Sequence, residues 1–354
     1  MKLEQNKFHK NFKLNGVSFS SVDEILSFSK SVSDDIHLFL QNWFSDEKVI
    51  IVKTSGSTGT PKSIQLKKEL MVNSAKATGN YFNLPQYTKA LLCLPIVYIA
   101  GKMMLIRGIT LGWHLDVIES TSNPLEKISK EYDFSAMVPL QVENSLSKLN
   151  LIKQLIVGGG VVSNTLQTKL QALNTKIFAT YGMTETITHI AVKKLNNFSN
   201  QNSNLVENLY YETLPNVTIY RDERNCLVIE APKVSEEIIF TNDVVQLISD
   251  KHFNWLGRFD NVINSGGVKL HLEKIEEKLS KIITNRFFVT GIYDEILGEK
   301  LVLIIEGNKQ EISLKNSSLS KFEKPKEIYF IDNFKETETG KIQRKRTIQQ
   351  IVSN

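Results

Sequence analysis

An α/β fold is expected, with a large N-terminal body of mostly parallel sheet flanked by helices and a smaller unit behind it. Three observations lead there. At 354 residues the chain exceeds a typical single domain and divides naturally into one large and one small domain. Strand-like apolar runs at Ala90 to Leu94, Ala136 to Val138, Leu155 to Val157 and Lys176 to Ala179 alternate with helical segments such as Asn164 to Leu173, which is the pattern of parallel strands joined by helices. Glycine-bearing turns follow two of those runs, where such sheets place their ligands. The make-up, 41% hydrophobic and 23% charged, is that of a soluble globular protein. A net charge of +5 suits small anionic substrates and does not call for nucleic acid.

In chain order, Val22 to Phe44 carries Ile25, Leu26, Phe28, Ile36, Leu38, Phe39, Leu40 and Trp43 at helical spacing, which predicts two amphipathic packing helices. Val49 to Val52 is a β-branched run of the buried-strand type, and it leads into Thr54-Ser55-Gly56-Ser57-Thr58-Gly59-Thr60-Pro61-Lys62. Glycine permits close backbone approach, hydroxyls and free N–H groups converge on an anion, and Lys62 adds a cation. The loop suits a triphosphate. Gly56 to Ser63 departs from the P-loop pattern only at Pro61, but proline has no N–H to donate, which argues against a P-loop ATPase. A flexible linker is the other reading; the strand before the loop and Pro-Lys within it weigh against that. From Lys67 a helix through Met71, Ala75 and Ala77 is expected to bring its N-terminus to the phosphates.

Leu94 to Lys102 forms a turn in which Tyr98, Lys102 and, further on, Arg107 stand out; the two cations are the nearest candidates to meet a substrate carboxylate. Gly158-Gly159-Gly160 and Tyr181-Gly182-Met183-Thr184-Glu185 each follow a strand-like run, and His189 lies just beyond. Leu195 to Val206 is Asn- and Ser-rich and reads as a mobile surface connection. Val217 to Arg221 and Cys226 to Ile229 are strand-like, and Asp243, Gly257-Arg258 and Asp260 come after them. Asn264 to Leu270 is a Gly-bearing hairpin followed by a helix. The end, Glu336 to Lys345, contains Thr339-Gly340-Lys341; alone it would pass for a basic nucleic-acid-binding tail. Cys93 and Cys226 read as buried reduced thiols, and no zinc spacing appears. No apolar run reaches membrane-spanning length and Met1 to Asn15 has no signal-type core, so a cytoplasmic protein without membrane insertion is expected.

Taken in order, the Thr54 loop, the Gly158 turn, Tyr181 to Glu185, Asp243 with Arg258, the Gly267 hairpin and Lys341 resemble the motifs of the acyl-adenylate-forming superfamily. Acyl-CoA synthetases, adenylation domains and luciferases belong to it. The resemblance implies that Thr54, Ser55, Gly56, Ser57, Thr58, Gly59 and Lys62 hold phosphate, and that adenine lies against Gly158 and Gly159 and stacks on Tyr181 beside Gly182. It implies that Thr184 contacts the phosphate destined for AMP, Glu185 holds Mg²⁺, and Asp243 and Arg258 grip the ribose. By the same resemblance Tyr98 forms a wall of the acyl pocket, for which Lys102 and His189 are further candidates, a satisfied structural histidine being the other reading of His189; Asp260 is a hinge for a small α+β domain, giving a division at 1–259 and 260–354. Gly267 and Lys269 flank the path of coenzyme A, and Lys341 enters the site for adenylation.

The expected reaction joins a small-molecule carboxylic acid to CoA with ATP, through an acyl-AMP. The loop begins early, at residue 54, and Tyr-Gly-Met-Thr-Glu-Thr with Ile-Ala-Gly-Lys is most similar to short bacterial o-succinylbenzoate-CoA ligases of menaquinone synthesis. Another aryl- or fatty-acyl-CoA ligase, an adenylation domain loading a carrier protein, and a non-catalytic nucleotide-binding protein stay open as alternatives. Whether the chain forms a homo-oligomer is also open.

Overall fold

The computed structural model describes residues 7–53, 63–197, 210–314, 317–336 and 342–352. Short strands β1 (Lys13–Leu14) and β2 (Val17–Ser18) precede helices α1 (Val22–Val32) and α2 (Asp34–Phe44), a hairpin β3 (Val49–Lys53) and β4 (Ser63–Lys67), and α3 (Lys68–Tyr81). Then β5 (Lys89–Leu92), α4 (Ile99–Leu111), β6 (His114–Val117), β7 (Tyr132–Met137), α5 (Pro139–Asn144), β8 (Ile152–Val157), α6 (Asn164–Leu170) and β9 (Lys176–Gly182) follow.

The two expected N-terminal helices form. Ser21 caps α1 by accepting from the Glu24 N–H, and the pair is broken at Ser33, whose backbone is extended. Ile25 of α1 and Ile36, Phe39, Leu40, Trp43 and Phe44 of α2 supply the buried face. Helix α4 is buried almost all round from Met103 to Ile109, as suits an apolar helix inside a core. It stops at Gly112, which takes the left-handed conformation (φ 73°) that a glycine reaches without strain.

Strands β5 to β9 pair in parallel, in the spatial order β9-β8-β7-β5-β6. Leu91 and Cys93 face one core and Ala90 and Leu92 the other, so the sheet is covered on both sides. Beyond β9 the expectation of parallel strands is corrected. Strands β10 (His189–Lys194), β11 (Tyr211–Thr213), β12 (Thr218–Arg221), β13 (Cys226–Glu230), β14 (Ile239–Leu247) and β15 (His252–Arg258) extend the same sheet in antiparallel fashion. Among the described residues their connections carry no crossover helix, and parallel neighbours need one.

Four local expectations are also corrected. Val49 to Val52 is buried on one face only: it pairs with β4, Ile50 and Val52 are in the core, and Ile51 is 64% exposed. Because β4 separates the loop from α3, the helix starts at the far end of the hairpin, where Lys67 pairs with Val49 and the Lys68 N–H donates to the Lys48 carbonyl at 2.9 Å. Its N-terminus therefore lies at the end of the hairpin away from Lys53 and Ser63, the described residues that flank the loop. Helix α6 ends at Leu170, and the start of the Asn-rich connection is a fixed bracket: Asn196 is fully buried and its amide binds the Ile177 N–H and the carbonyls of Leu170, Leu173 and Thr175. The rest of that connection lies outside the described residues.

A second sheet holds β16 (Val262–Ser265), β17 (Val268–His271), β18 (Phe287–Asp294), β19 (Gly298–Glu306) and β20 (Glu327–Ile331), with α7 (Leu272–Leu279) and α8 (Arg344–Val352). It has its own core of Ile263, Leu270, Leu272, Ile275, Leu279, Val289, Leu301, Leu303 and Ile305. The turn Phe259–Asn261 joins the two sheets. Both cysteines are free and buried, and burial pushes the Cys93 thiol up to about 12. Among the described residues no helix is long and apolar enough to cross a membrane.

Candidate nucleotide site

The strands end where the motifs begin. Gly158 closes β8, and a Cβ there would lie 2.7 Å from the Thr180 hydroxyl; Gly159 takes a left-handed φ of 78°. Gly182 closes β9 against the turn into β10, and a Cβ there would meet the Thr188 carbonyl oxygen at 2.1 Å. That atom is backbone and cannot swing away, so glycine is the residue that fits.

Tyr181, Asp243 and Arg258 meet. Asp243 on β14 is cross-strand partner to Arg258 on β15, and the Arg258 Nη1 lies 3.7 Å from the Asp243 Oδ1. The Tyr181 hydroxyl donates to Asp243 Oδ2 at 2.7 Å, and the Trp255 Nε1 donates to Oδ1 at 3.1 Å. Burial, then the Asp243 charge, holds the Tyr181 phenol well above its ordinary range. Its ring packs edge-on against Phe253 and Tyr211. A nearly buried carboxylate held by neutral donors, with a guanidinium beside it, can accept from a vicinal diol. Arg258 also reaches Asp260 at 3.4 Å, and Asn242 donates to the same Asp260 oxygen at 3.3 Å.

After Gly182, Thr184 and Glu185 lie on a 3₁₀ turn, Thr184 half-buried and Glu185 exposed. Ile187 ends that turn at φ 65°, ψ −64°, a strained conformation for a β-branched residue of the kind that clusters at functional sites. Nothing in its sequence context signals it.

His189 and Arg107 converge on one cavity through a short chain of hydroxyls. The cavity, of about 210 Å³, is lined by His189, Ser74, Asn80, Lys76 and Lys233, and none of its lining residues is acidic. Arg107 on α4 is 2% exposed and donates to the hydroxyls of Thr78 and Thr188, each at 3.3 Å. Thr188 in turn lies 3.1 Å from the Ser74 hydroxyl. No ion pair to Arg107 exists among the described residues, and burial pulls its guanidinium down to about 10. Ser74, Thr78, Thr188 and Trp255 have no distinguishing signal in the sequence.

Burial, with Arg107 adding to it, lowers His189 from 6.5 to about 3, and its Nε2 has no partner among the described residues. The imidazole is therefore neutral. Because the folded value lies below the unfolded one, its contribution to stability is complete above about 6.5 and is lost as pH falls from there towards 3. A single proton of this kind tilts the unfolding free energy by up to about 1.4 kcal/mol per pH unit. Urea titrations of His189→Asn are expected to show a flatter acid limb over that window; an unchanged limb would assign the acid sensitivity to other groups.

Other expected site residues fall elsewhere. Lys102 is not brought to the His189 cavity: its amine donates to the carbonyls of Ile96 and Val97, both at 2.7 Å, beside a separate groove lined by Asp35, Leu38 and Ile51. Tyr98 precedes α4 and is half-buried. Gly267 has φ 83° with open space where a Cβ would stand, and Lys269 on β17 is exposed. Thr54 to Gly59, Lys62 and Lys341 lie outside the described residues.

The family model for AMP-binding enzyme matches residues 21–208. A crystal structure of an acyl-CoA synthetase (AMP-forming)/AMP-acid ligase II-like protein from Dyadobacter fermentans is 37% identical, covering 90% of this chain and 93% of that one, with a TM-score of 0.58. A 2-succinylbenzoate–CoA ligase from Lactococcus lactis is 24% identical over 349 residues, 92% of this chain and 76% of that protein. The o-succinylbenzoate coenzyme A synthetase of Bacillus subtilis, in complex with ATP and magnesium, is 17% identical over 93% of this chain and 82% of its own, with a TM-score of 0.69. At that identity the likeness is one of fold.

Proposed function

We propose that this chain, which belongs to the AMP-binding enzyme family, is an AMP-forming acid–CoA ligase whose acid is o-succinylbenzoate. The observation that carries the reading is the meeting of Tyr181, Asp243 and Arg258 at one place. In the first half-reaction a substrate carboxylate oxygen attacks the α-phosphorus of ATP, and the bond to pyrophosphate breaks. In the second the CoA sulfur attacks the acyl carbon, AMP leaves, and the thiol proton passes to solvent.

Asp243 accepts from the ribose hydroxyls, Arg258 donates to them, and Tyr181 presents its ring to adenine against Gly158 and Gly159. The Thr54 to Lys62 loop and Thr184 hold phosphate. Magnesium bound with ATP neutralises charge growing on pyrophosphate. Among the described residues no cluster of His, Cys, Asp and Glu would hold a metal unaided, and lone Glu185 fits an ion that keeps phosphate and water ligands.

The cavity at His189 supports the choice of acid. Cationic Lys76 and Lys233, a neutral imidazole and the buried Arg107 favour an acid with a second carboxylate beyond the reacting one, and the Lactococcus relative carries that substrate in its name. Residues 1–259 act as the ATP- and acid-binding domain, and 260–354 as a small domain turning at Asp260, with Gly267 and Lys269 along the CoA path. The separate core of the second sheet supports that division. A reaction that consumes ATP and CoA suits the cytoplasm.

ATP-dependent CoA consumption across a panel of carboxylic acids tests the proposal. O-succinylbenzoate is expected to give the highest kcat/KM, with one AMP and one pyrophosphate released per thioester. Good turnover of another aryl or fatty acid with none of o-succinylbenzoate would remove the substrate assignment. Pyrophosphate release with no use of free CoA would point to loading of a carrier protein.

A further inference from the structure

Helix α7 of the second sheet is gripped at one end beside β15 of the large sheet and at the other by the first residue of α6. At its first turn the Glu273 side chain lies in a notch that exists because residue 257 has no side chain: a Cβ on Gly257 would stand 2.2 Å from Glu273 Oε2 and 2.8 Å from its Cδ. Gly257 sits at φ 137°, next to Arg258 of the nucleotide site. Asn261, in the joining turn, donates to Glu273 Oε1 at 2.6 Å and so aims the carboxylate. The other oxygen, Oε2, is buried with no partner among the described residues. At the far end of α7, Asn164 at the start of α6 donates to the Glu277 carbonyl at 2.8 Å and to the Ser280 hydroxyl at 3.1 Å.

We infer that Glu273 is a positioning residue, the key of a releasable latch that holds the small domain in one of its working orientations and so sets the balance between the two half-reactions. The inference rests on the ligase reading above. Asn261 follows Asp260 and turns with Glu273, so their bond survives a rotation at the hinge. The Gly257 notch and the Asn164 bonds belong to the large domain and must part. A carboxylate oxygen left without a donor in the docked state gains water when the latch opens, which keeps the docked state from becoming a trap. The grip is specific in shape and weak in energy.

Two readouts test this on the full chain. Nitroxide labels at Lys127→Cys and Lys324→Cys report the inter-domain distance, since Cys93 and Cys226 are buried. Pyrophosphate release and CoA capture of supplied acyl-AMP report the two half-reactions separately. Glu273→Ala and Asn164→Ala are expected to broaden the distance distribution and to change the ratio of half-reaction rates in the same direction by about tenfold. Glu273→Gln keeps the shape and the Asn261 acceptor and is expected to behave as wild type. Unchanged distances and an unchanged ratio in both alanine variants, or an equal fall in both halves at unchanged distance, would overturn the latch. If the wild-type protein makes no thioester, the ligase reading fails while the label distances still decide the latch.

Discussion

Replacing Lys341 with alanine is expected to slow acyl-AMP formation by about 10²–10³-fold while largely sparing the reaction of supplied acyl-AMP with CoA, because a fixed cation matters most where charge grows. During adenylation negative charge builds across the attacking carboxylate and the α-phosphate, and an amine bridging both stabilises the transition state more than the ground state. In the second step the phosphate leaves as intact AMP and the reacting atoms are sulfur and the acyl carbon. The substitution should leave the fold standing. The described residues on either side are held independently: Glu336 and Ile342 form an antiparallel bridge, the Gln343 N–H donates to the Lys335 carbonyl at 2.7 Å, and Arg344 pairs with Glu276 at 2.9 Å. Single-turnover measurements of each half-reaction decide the matter, and an equal loss in both would show that the lysine's role is misassigned.

The parts of the site that were legible in the sequence are those whose chemistry is local. Tyr181 to Glu185 announces itself because strand, glycine and polar turn are contiguous, and Gly182 is required by backbone contact within the same β9–β10 turn. Asp243 and Arg258, fifteen residues apart, were marked by the family resemblance, and one antiparallel pairing makes them neighbours. Contacts made by ordinary residues between elements left no trace, at short separations as well as long. Trp255 on Asp243, Thr78 and Thr188 on Arg107, and Glu273 in the notch at Gly257 depend on packing between elements, to which composition and periodicity are blind.

The misreadings have the same origin. The helix expected from Lys67 starts at Lys68, but the strand Ser63 to Lys67 before it went unread because it alternates weakly and only pairing with β3 makes it a strand. The antiparallel half of the large sheet was hidden because single-strand patterns do not tell which neighbour a strand will choose. Asn196 resembled a loop residue by type, yet its amide carries four hydrogen bonds that a buried chain reversal needs.

Arg107→Met is expected to move stability and substrate affinity in opposite directions. A guanidinium that is 2% exposed and ion-paired to nothing among the described residues is costly to bury, and its two threonine contacts, at 3.3 Å each, offset little of that cost. Methionine is similar in length and apolar, and the hydroxyls it would abandon keep other partners: Thr78 donates to the Ser74 carbonyl, and Thr188 remains beside the Ser74 hydroxyl. The variant should therefore be more stable by about 1–3 kcal/mol, read from urea unfolding. If Arg107 serves to receive the distal carboxylate of the acid through Thr188 and Ser74, losing a charge-assisted contact should raise the KM for o-succinylbenzoate about 10- to 100-fold with kcat for a monocarboxylic aryl acid little changed. A structural arginine would give the reverse pattern, a lower melting temperature and an unaltered KM, and that result would take the dicarboxylate out of the proposal while leaving the nucleotide site untouched.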